Sequence, residues 1–425
     1  MRLFAPALAL ALLTLAGCSR AETPKPLELA PTADQAWVEL TDRGAEARLI
    51  TATAACPAVA VDGKPTPMTR RVGPSADFPL TVCQLLLPKR VRLASVRGIA
   101  LPIPVAEPHR VLIFGDTGCR LKGVEIQNCD DPKDWPFGVV SRLAAAHHPD
   151  LVIHVGDYYY RESPCPAGRA GCAGSPWGDN WNSWNADFFQ PAEPLLRAAP
   201  WVMVRGNHED CQRGGLGWFR LLDADPKVRA CPAHSDTFLV DIGGVSVGVL
   251  DSADPDDRKA FPEQADAFAN DLKPLAKAKQ PVWLVTHRPL WEIFRVGPLL
   301  TDTGGNINER QAAKAQGLGR TETILAGHLH TFYSLDFDGA RASELVVGTG
   351  GDTLDSDKAS SIVHGTINVD GAPARAFGMD RFGYFVLDRV GKGAGDDWTG
   401  VFRDLTDAVI AKCTLKAGRL ACVAA

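Results

Sequence analysis

The sequence has no excess of positive charge: 45 Lys and Arg stand against 50 Asp and Glu, a formal net charge of -5. A nucleic-acid partner calls for a basic face, so none is expected. A small phosphorylated ligand stays open, because metal ions can supply positive charge locally. Past the first twenty residues the chain lacks any apolar run long enough to cross a bilayer, which leaves a lipid as the means of any membrane attachment. Internal repeats and low-complexity tracts are also missing, and a solenoid is excluded with them. Tyrosine is scarce, with five in all, yet three of the five stand in a row at Tyr158 to Tyr160.

What is present is ordinary for a globular chain: 425 residues, 45% hydrophobic and 22% charged. That length buries a large core in two domains, or in one large domain with insertions. At the amino terminus Arg2 precedes an apolar stretch from Leu3 to Ala16, the length of a signal-peptide core. It ends in Leu15-Ala16-Gly17-Cys18, which resembles the lipobox of bacterial lipoproteins. The resemblance implies cleavage before Cys18 and a lipid on its sulfur. The expectation is an exported, lipid-anchored protein of the periplasm or cell envelope. Residues 1–17 are then the signal and 18–34 a polar spacer.

Ten further cysteines, an even count in an exported chain, read as disulfides. Sequence leaves their connectivity open, but spacing favours neighbours: Cys56 with Cys83, Cys119 with Cys129, Cys165 with Cys172, Cys211 with Cys231, and Cys413 with Cys422. Two of these bridges would either brace loops that carry chemistry or only stiffen long surface loops.

From residue 35 to 105, short apolar runs separated by Gly and Pro predict a small β-domain without a catalytic signature. From Arg110 onward the apolar runs lose their alternation. Val111 to Phe114, Leu151 to Val155, Trp201 to Val204, Val245 to Leu250, Val282 to Val285 and Thr323 to Ala326 read as strands buried on both faces. Helix-like segments at Phe137 to His147, Trp181 to Ala199 and Pro262 to Lys279 alternate with them. The expectation is an α/β catalytic domain over 110–425 with a C-terminal β extension, its ligands at the carboxyl ends of strands.

Five short motifs occupy those strand ends: Gly-Asp-Thr-Gly (115–118), Gly-Asp-Tyr-Tyr-Tyr (156–160), Gly-Asn-His-Glu (206–209), Thr-His (286–287) and Gly-His-Leu-His (327–330). Their oxygen and nitrogen donors suit a pair of hard or borderline metal ions, not a thiolate zinc site. In this order the motifs resemble those of the calcineurin-like metallophosphoesterases, and most of all the purple acid phosphatases (GDxG, GDxxY, GNHE, VxxH, GHxH). The resemblance spans about Arg110 to Tyr333. It implies a four-layer α/β/β/α sandwich, here with the small N-terminal β-domain. It also implies hydrolysis of phosphomonoesters at two metal ions, Fe(III) plus a divalent Zn, Mn or Fe.

Residue by residue, the resemblance makes Asp157 the bridging ligand. Asp116, Tyr160 and His330 become ligands of the ferric ion, and Asn207, His287 and His328 those of the divalent ion. His208 is expected to contact the phosphate and protonate the leaving group, with Glu209 orienting a neighbour. Arg288 either grips phosphate or is a surface arginine. Tyr160 alone could also be part of an aromatic cluster under its loop. The sequence departs from the pattern at Leu284 and at Thr117, and residues 165–189 match no motif. That tryptophan-bearing segment is either a wall shaping substrate choice or a patch under the β-domain. Phosphodiester or nucleotide hydrolysis is the alternative activity, and a non-catalytic surface binding protein is the alternative class.

Overall fold

A computed structural model describes residues 34–425, apart from 229, 255–256, 297–298, 303, 356–361 and 392–396. The signal, Cys18 and nearly all of the spacer therefore lie outside the described residues. Two large sheets face each other. The first has eleven strands, with Arg110–Phe114, Leu151–His154, Trp201–Met203 and Gln35–Thr41 parallel at its centre. The second has eight, with Ser246–Leu250, Val282–Thr286, Thr321–Ala326 and Ser343–Val347 parallel at its centre. Leu151–His154, Ser246–Leu250 and Val282–Thr286 are buried at every residue, the physical cause of their missing alternation.

One core lies between the sheets, where Phe332 meets Phe402 and Phe385 (ring centroids 4.6 and 5.7 Å apart) and Trp283 meets Trp398 at 5.0 Å. Helices Phe137–Ala146 and Gln190–Leu196 add Val140, Ala144 and Leu195 to that core cluster. Helices Pro262–Asp271 and Ile307–Gln316 supply Phe268 and Ala312 to a second cluster with Leu284 and Ile324 of the second sheet. The layering is α/β/β/α.

The N-terminal β region has a four-stranded sheet of its own (Ala58–Val61, Lys64–Pro67, Ala94–Val96 and Ile99–Leu101), and its other strands join the large frame. Gln35–Thr41 pairs with the catalytic strand Trp201–Met203, and Gly44–Thr51, Thr81–Leu86 and Thr69–Val72 extend the same sheet to its edge. Its buried charges are matched across the join: Arg48 donates to the carbonyls of Leu221 and Asp223 at 2.8 and 2.7 Å and pairs with Glu39 at 3.0 Å. The segment Trp181 to Ala199 is helical in three pieces, with a wide turn at Asn185–Phe189 between Trp181–Trp184 and Gln190–Leu196. Disulfides join all five neighbouring cysteine pairs. Among the described residues no helix is long and apolar enough to cross a membrane.

Candidate metal centre

Each motif sits just past the carboxyl end of a buried parallel strand. Asp116, Asp157 and Asn207 leave the first sheet after Arg110–Phe114, Leu151–His154 and Trp201–Met203. His287 leaves the second sheet after Val282–Thr286, and His328 and His330 after Thr321–Ala326. The site is therefore the seam where the carboxyl ends of two sheets meet. Asp116 (φ +58°), Asp157 (+58°) and His328 (+69°) all adopt the left-handed backbone that non-glycine residues seldom take, a strain that collects at functional sites. The loops also approach too closely for side chains between them. A Cβ on Gly206 would collide with Asp157, and one on Gly327 with Asp116.

Asp157 is the common member of two groups of donors. Its Oδ2 lies 2.8 Å from Tyr160 Oη and 3.1 Å from His287 Nε2. On one side Tyr160 Oη is also 3.2 Å from Asp116 Oδ1 and 3.0 Å from His330 Nε2. On the other, Asn207 Oδ1 is 2.9 Å from His287 Nε2 and 2.7 Å from His328 Nδ1. Donor atoms of Asp157, His287 and His328 all fall within 4.8 Å of one another. Two histidines are oriented from behind: His287 Nδ1 lies 2.8 Å from the Val155 carbonyl and His330 Nδ1 2.6 Å from that of Thr353. Each aims Nε2 into the cluster.

The electrostatics ask for cations here. Burial alone would lower His287 and His330, but Asp157 lifts the first to about 9, and Asp352 and Asp116 lift the second to about 10. Protons thus stand where a metal charge would balance the buried carboxylates. Two carboxylates, a phenol, an amide and three imidazoles, with no thiolate, fit hard or borderline ions.

His208 lies over the Tyr160 ring, with centroids 3.9 Å apart, and its Nε2 is 4.0 Å from Asp157 Oδ2. Its Nδ1 is 2.5 Å from Glu162 Oε1, a partner the sequence reading passed over although it lies five residues beyond Asp157. Burial pushes His208 below its ordinary value against the pull of Asp157 and Glu162. Glu209 orients backbone. It accepts from the N–H groups of Tyr158 (2.8 Å), Tyr159 (3.0 Å) and Gly206 (3.0 Å), tying the second and third motifs together. Arg288 is buried and not a surface arginine; its Nε donates to the Ser252 carbonyl at 3.0 Å and its Nη1 pairs with Asp257.

Other members gave no signal in sequence, because their partners are distant along the chain. Asp187 is wholly buried and accepts from the backbone N–H of Cys119 (3.1 Å) and Tyr160 (2.8 Å), so it fixes two motif loops at once. Asp352 holds Arg120, whose guanidinium lies 5.1 Å from the Tyr160 ring centroid. Thr117, where an aromatic residue was expected, sits 3.1 Å from His154 Nε2. In the unmatched segment Trp181 and Trp184 are buried, and Phe189 packs at a tilt against Trp37 of the N-terminal strand, ring centroids 5.4 Å apart. The segment packs both against the N-terminal strand and, through Trp184 on Tyr159 and Cys172 on Cys119, against the motif loops, while Trp177 remains half exposed.

No curated protein sequence matches the chain. Among solved structures, a purple acid phosphatase, PPD1, from yellow lupin seeds superposes with a TM-score of 0.51 at 15% identity, covering 90% of this chain and 74% of its own. A structure of PhoD gives 0.52 at 13%, covering 92% and 91%. At such identities the likeness is one of fold. The family described as calcineurin-like phosphoesterase matches residues 109–332, just over half the chain and the span holding every candidate donor. The protein belongs to the calcineurin-like phosphoesterases, hydrolases of phosphoric esters.

Proposed function

We propose that this chain hydrolyses phosphomonoesters at a binuclear centre, with Fe(III) on the Tyr160 side and a divalent ion on the Asn207 side. The observation that carries the reading is Tyr160 Oη converging with Asp157, Asp116 and His330, because a phenolate favours a ferric ion. Asp116, Tyr160 and His330 would hold the first ion; Asn207, His287 and His328 the second; Asp157 both. When bound, the ions polarise the phosphate and activate the attacking water.

The protein's own part is positioning and proton transfer. Glu162, with Oε1 2.5 Å from Nδ1 of His208, sets a negative charge behind the ring, and Nε2 on the cluster side can protonate the departing alkoxide. The backbone N–H of His208 holds Asp157 Oδ1, so the acid and the bridging carboxylate are set by one loop. Buried Arg288, beside His328, adds positive charge at the second ion's side, where the phosphate would lie. Five disulfides support an oxidising compartment, in keeping with export and a lipid on Cys18.

Metal analysis with a visible spectrum tests the centre. One iron and one divalent ion per chain with a tyrosinate charge-transfer band is expected, and iron-loaded protein without the band removes the Tyr160 assignment. Turnover of nitrophenyl phosphate well above that of its bis-ester is expected; the reverse order makes the chain a diesterase.

A further inference from the structure

The strand Ser246–Leu250 ends in a loop that holds none of the candidate donors, yet that loop turns back onto the metal centre. Ser252 Oγ lies 2.9 Å from the Thr286 hydroxyl and accepts the backbone N–H of Arg288 at 3.0 Å. Five residues further on, Asp257 pairs with Arg288 Nη1, and its Oδ2 lies 3.3 Å from His328 Nε2. The carboxylate is held from its far side as well. Its Oδ1 is 3.2 Å from Asn306 Nδ2, and the Asp257 carbonyl accepts the N–H of Ile307 at 3.2 Å. The start of the helix Ile307–Gln316 thus sets its position.

The three histidines of the centre do not face it in the same way. His287 and His330 turn Nδ1 to the carbonyls of Val155 and Thr353 and present Nε2. His328 is reversed: Nδ1 is the nitrogen on the cluster side, 2.7 Å from Asn207 Oδ1. A neutral imidazole that gives one nitrogen to a metal carries its proton on the other, and that N–H needs an acceptor. For His287 and His330 a backbone carbonyl is in place. For His328 the proton falls on Nε2, which meets Asp257 Oδ2 and, at 3.4 Å, Arg288 Nη1. A guanidinium cannot accept, so the carboxylate is the group that can receive it.

We propose that Asp257 is the positioning residue for His328: it accepts the Nε2 proton and so fixes Nδ1 as the nitrogen offered to the second ion. The proposal rests on the binuclear reading above. Arg288 shares the carboxylate without depending on it, since the Ser252 carbonyl and hydroxyl also hold it. Substituting Asp257 should therefore cost metal on one side and leave the phosphate-facing arginine seated.

The test is a calorimetric titration of zinc ion into iron-loaded protein. Asp257→Asn should weaken zinc about tenfold and Asp257→Ala up to about 100-fold, with iron content and the visible band at the parent's level. Turnover lost at limiting zinc should return at saturating zinc, with KM close to the parent's. Asp257→Glu, which restores a carboxylate, should recover part of the affinity. A residue that only supported the fold would lose iron and zinc together and would not be rescued by added zinc. That outcome overturns the proposal, as does unchanged zinc affinity in the alanine variant. Should the variants fail to fold, the parent with zinc in both sites answers alone. Proton–nitrogen correlation spectra should place the His328 proton on Nε2, and a proton on Nδ1 overturns the assignment. A parent that takes up no second ion overturns the binuclear reading and this inference with it. A parent with two ions whose variants keep its zinc affinity overturns this inference alone.

Discussion

The two sides of the candidate metal centre are built alike and charged differently. Each has an arginine–aspartate pair behind a histidine of the same Gly-His-Leu-His loop: Arg120 with Asp352 behind His330, and Arg288 with Asp257 behind His328. Yet His330 is lifted to about 10, because Asp352 and Asp116 overcome the cost of burial, whereas burial and Arg288 push His328 down to about 4. Two histidines two residues apart thus face opposite fields. The His330 side, with two carboxylates and a phenol, concentrates negative charge and suits the more highly charged ion. The His328 side offers a neutral imidazole and an amide, which under the proposed assignment would bind a divalent ion without first losing a proton from His328.

The largest expected effect abolishes the comparison. Asp157 belongs to both sides, so Asp157→Ala should empty both, with activity falling by more than about 10³-fold and metal content below one ion per chain. Retention of a full complement of both ions would mean Asp157 does not bridge. Tyr160→Phe breaks one side only. The charge-transfer band should vanish and iron should drop, while the divalent ion on Asn207, His287 and His328 stays. Equal loss of both ions would show that the sides are not separable in this way.

Much of this was legible in sequence, for a physical reason. Strands buried on both faces and motifs at their carboxyl ends are local signals, so the α/β sheet and the seven candidate donors could be picked out from short windows, while the sandwich followed from the resemblance those motifs carry. The helix Ile307–Gln316 and the strands Phe332–Asp336 and Ser343–Val347 were not read, since they carry no motif and little period. The supporting residues escaped because their meaning lies in contacts across tens to hundreds of residues. Asp187 serves Cys119, and Asp352 serves Arg120. The join of the N-terminal strands to the catalytic sheet was hidden likewise, because a parallel pairing between Glu39 and Trp201 leaves no trace in either segment.

A smaller effect is expected where the proton donor is oriented. Glu162→Gln keeps the shape beside His208 Nδ1 but removes the charge that favours a protonated ring. Turnover should fall roughly 10- to 100-fold with both ions still bound. The alkaline limb that reports His208 should also move to lower pH. Loss of metal in parallel would make Glu162 part of the cluster instead of the acid's support.

The smallest effect sharpens the contrast behind the loops. Behind the Tyr160 side, Asp187 is met by the N–H groups of Cys119, Tyr160 and Arg161 and by the Arg161 guanidinium. Behind the His287 side, Glu309 has one oxygen 2.9 Å from the Thr286 hydroxyl and the other without a partner among the described residues. Burial lifts Glu309 to about 8, opposed by Thr286 and Arg288. The sign follows from proton counts. Between an unfolded value near 4.5 and the folded value, the native state holds the extra proton, so its contribution to stability falls as pH rises, by up to about 1.4 kcal/mol per pH unit. Glu309→Gln keeps the shape and cannot ionise. Relative to the parent, the variant should therefore gain stability between pH 5.5 and 7.5, measured as the shift in denaturant midpoint. A difference between the two proteins that does not change with pH would mean Glu309 is ionised in the native state, and that the two sides are supported in the same way.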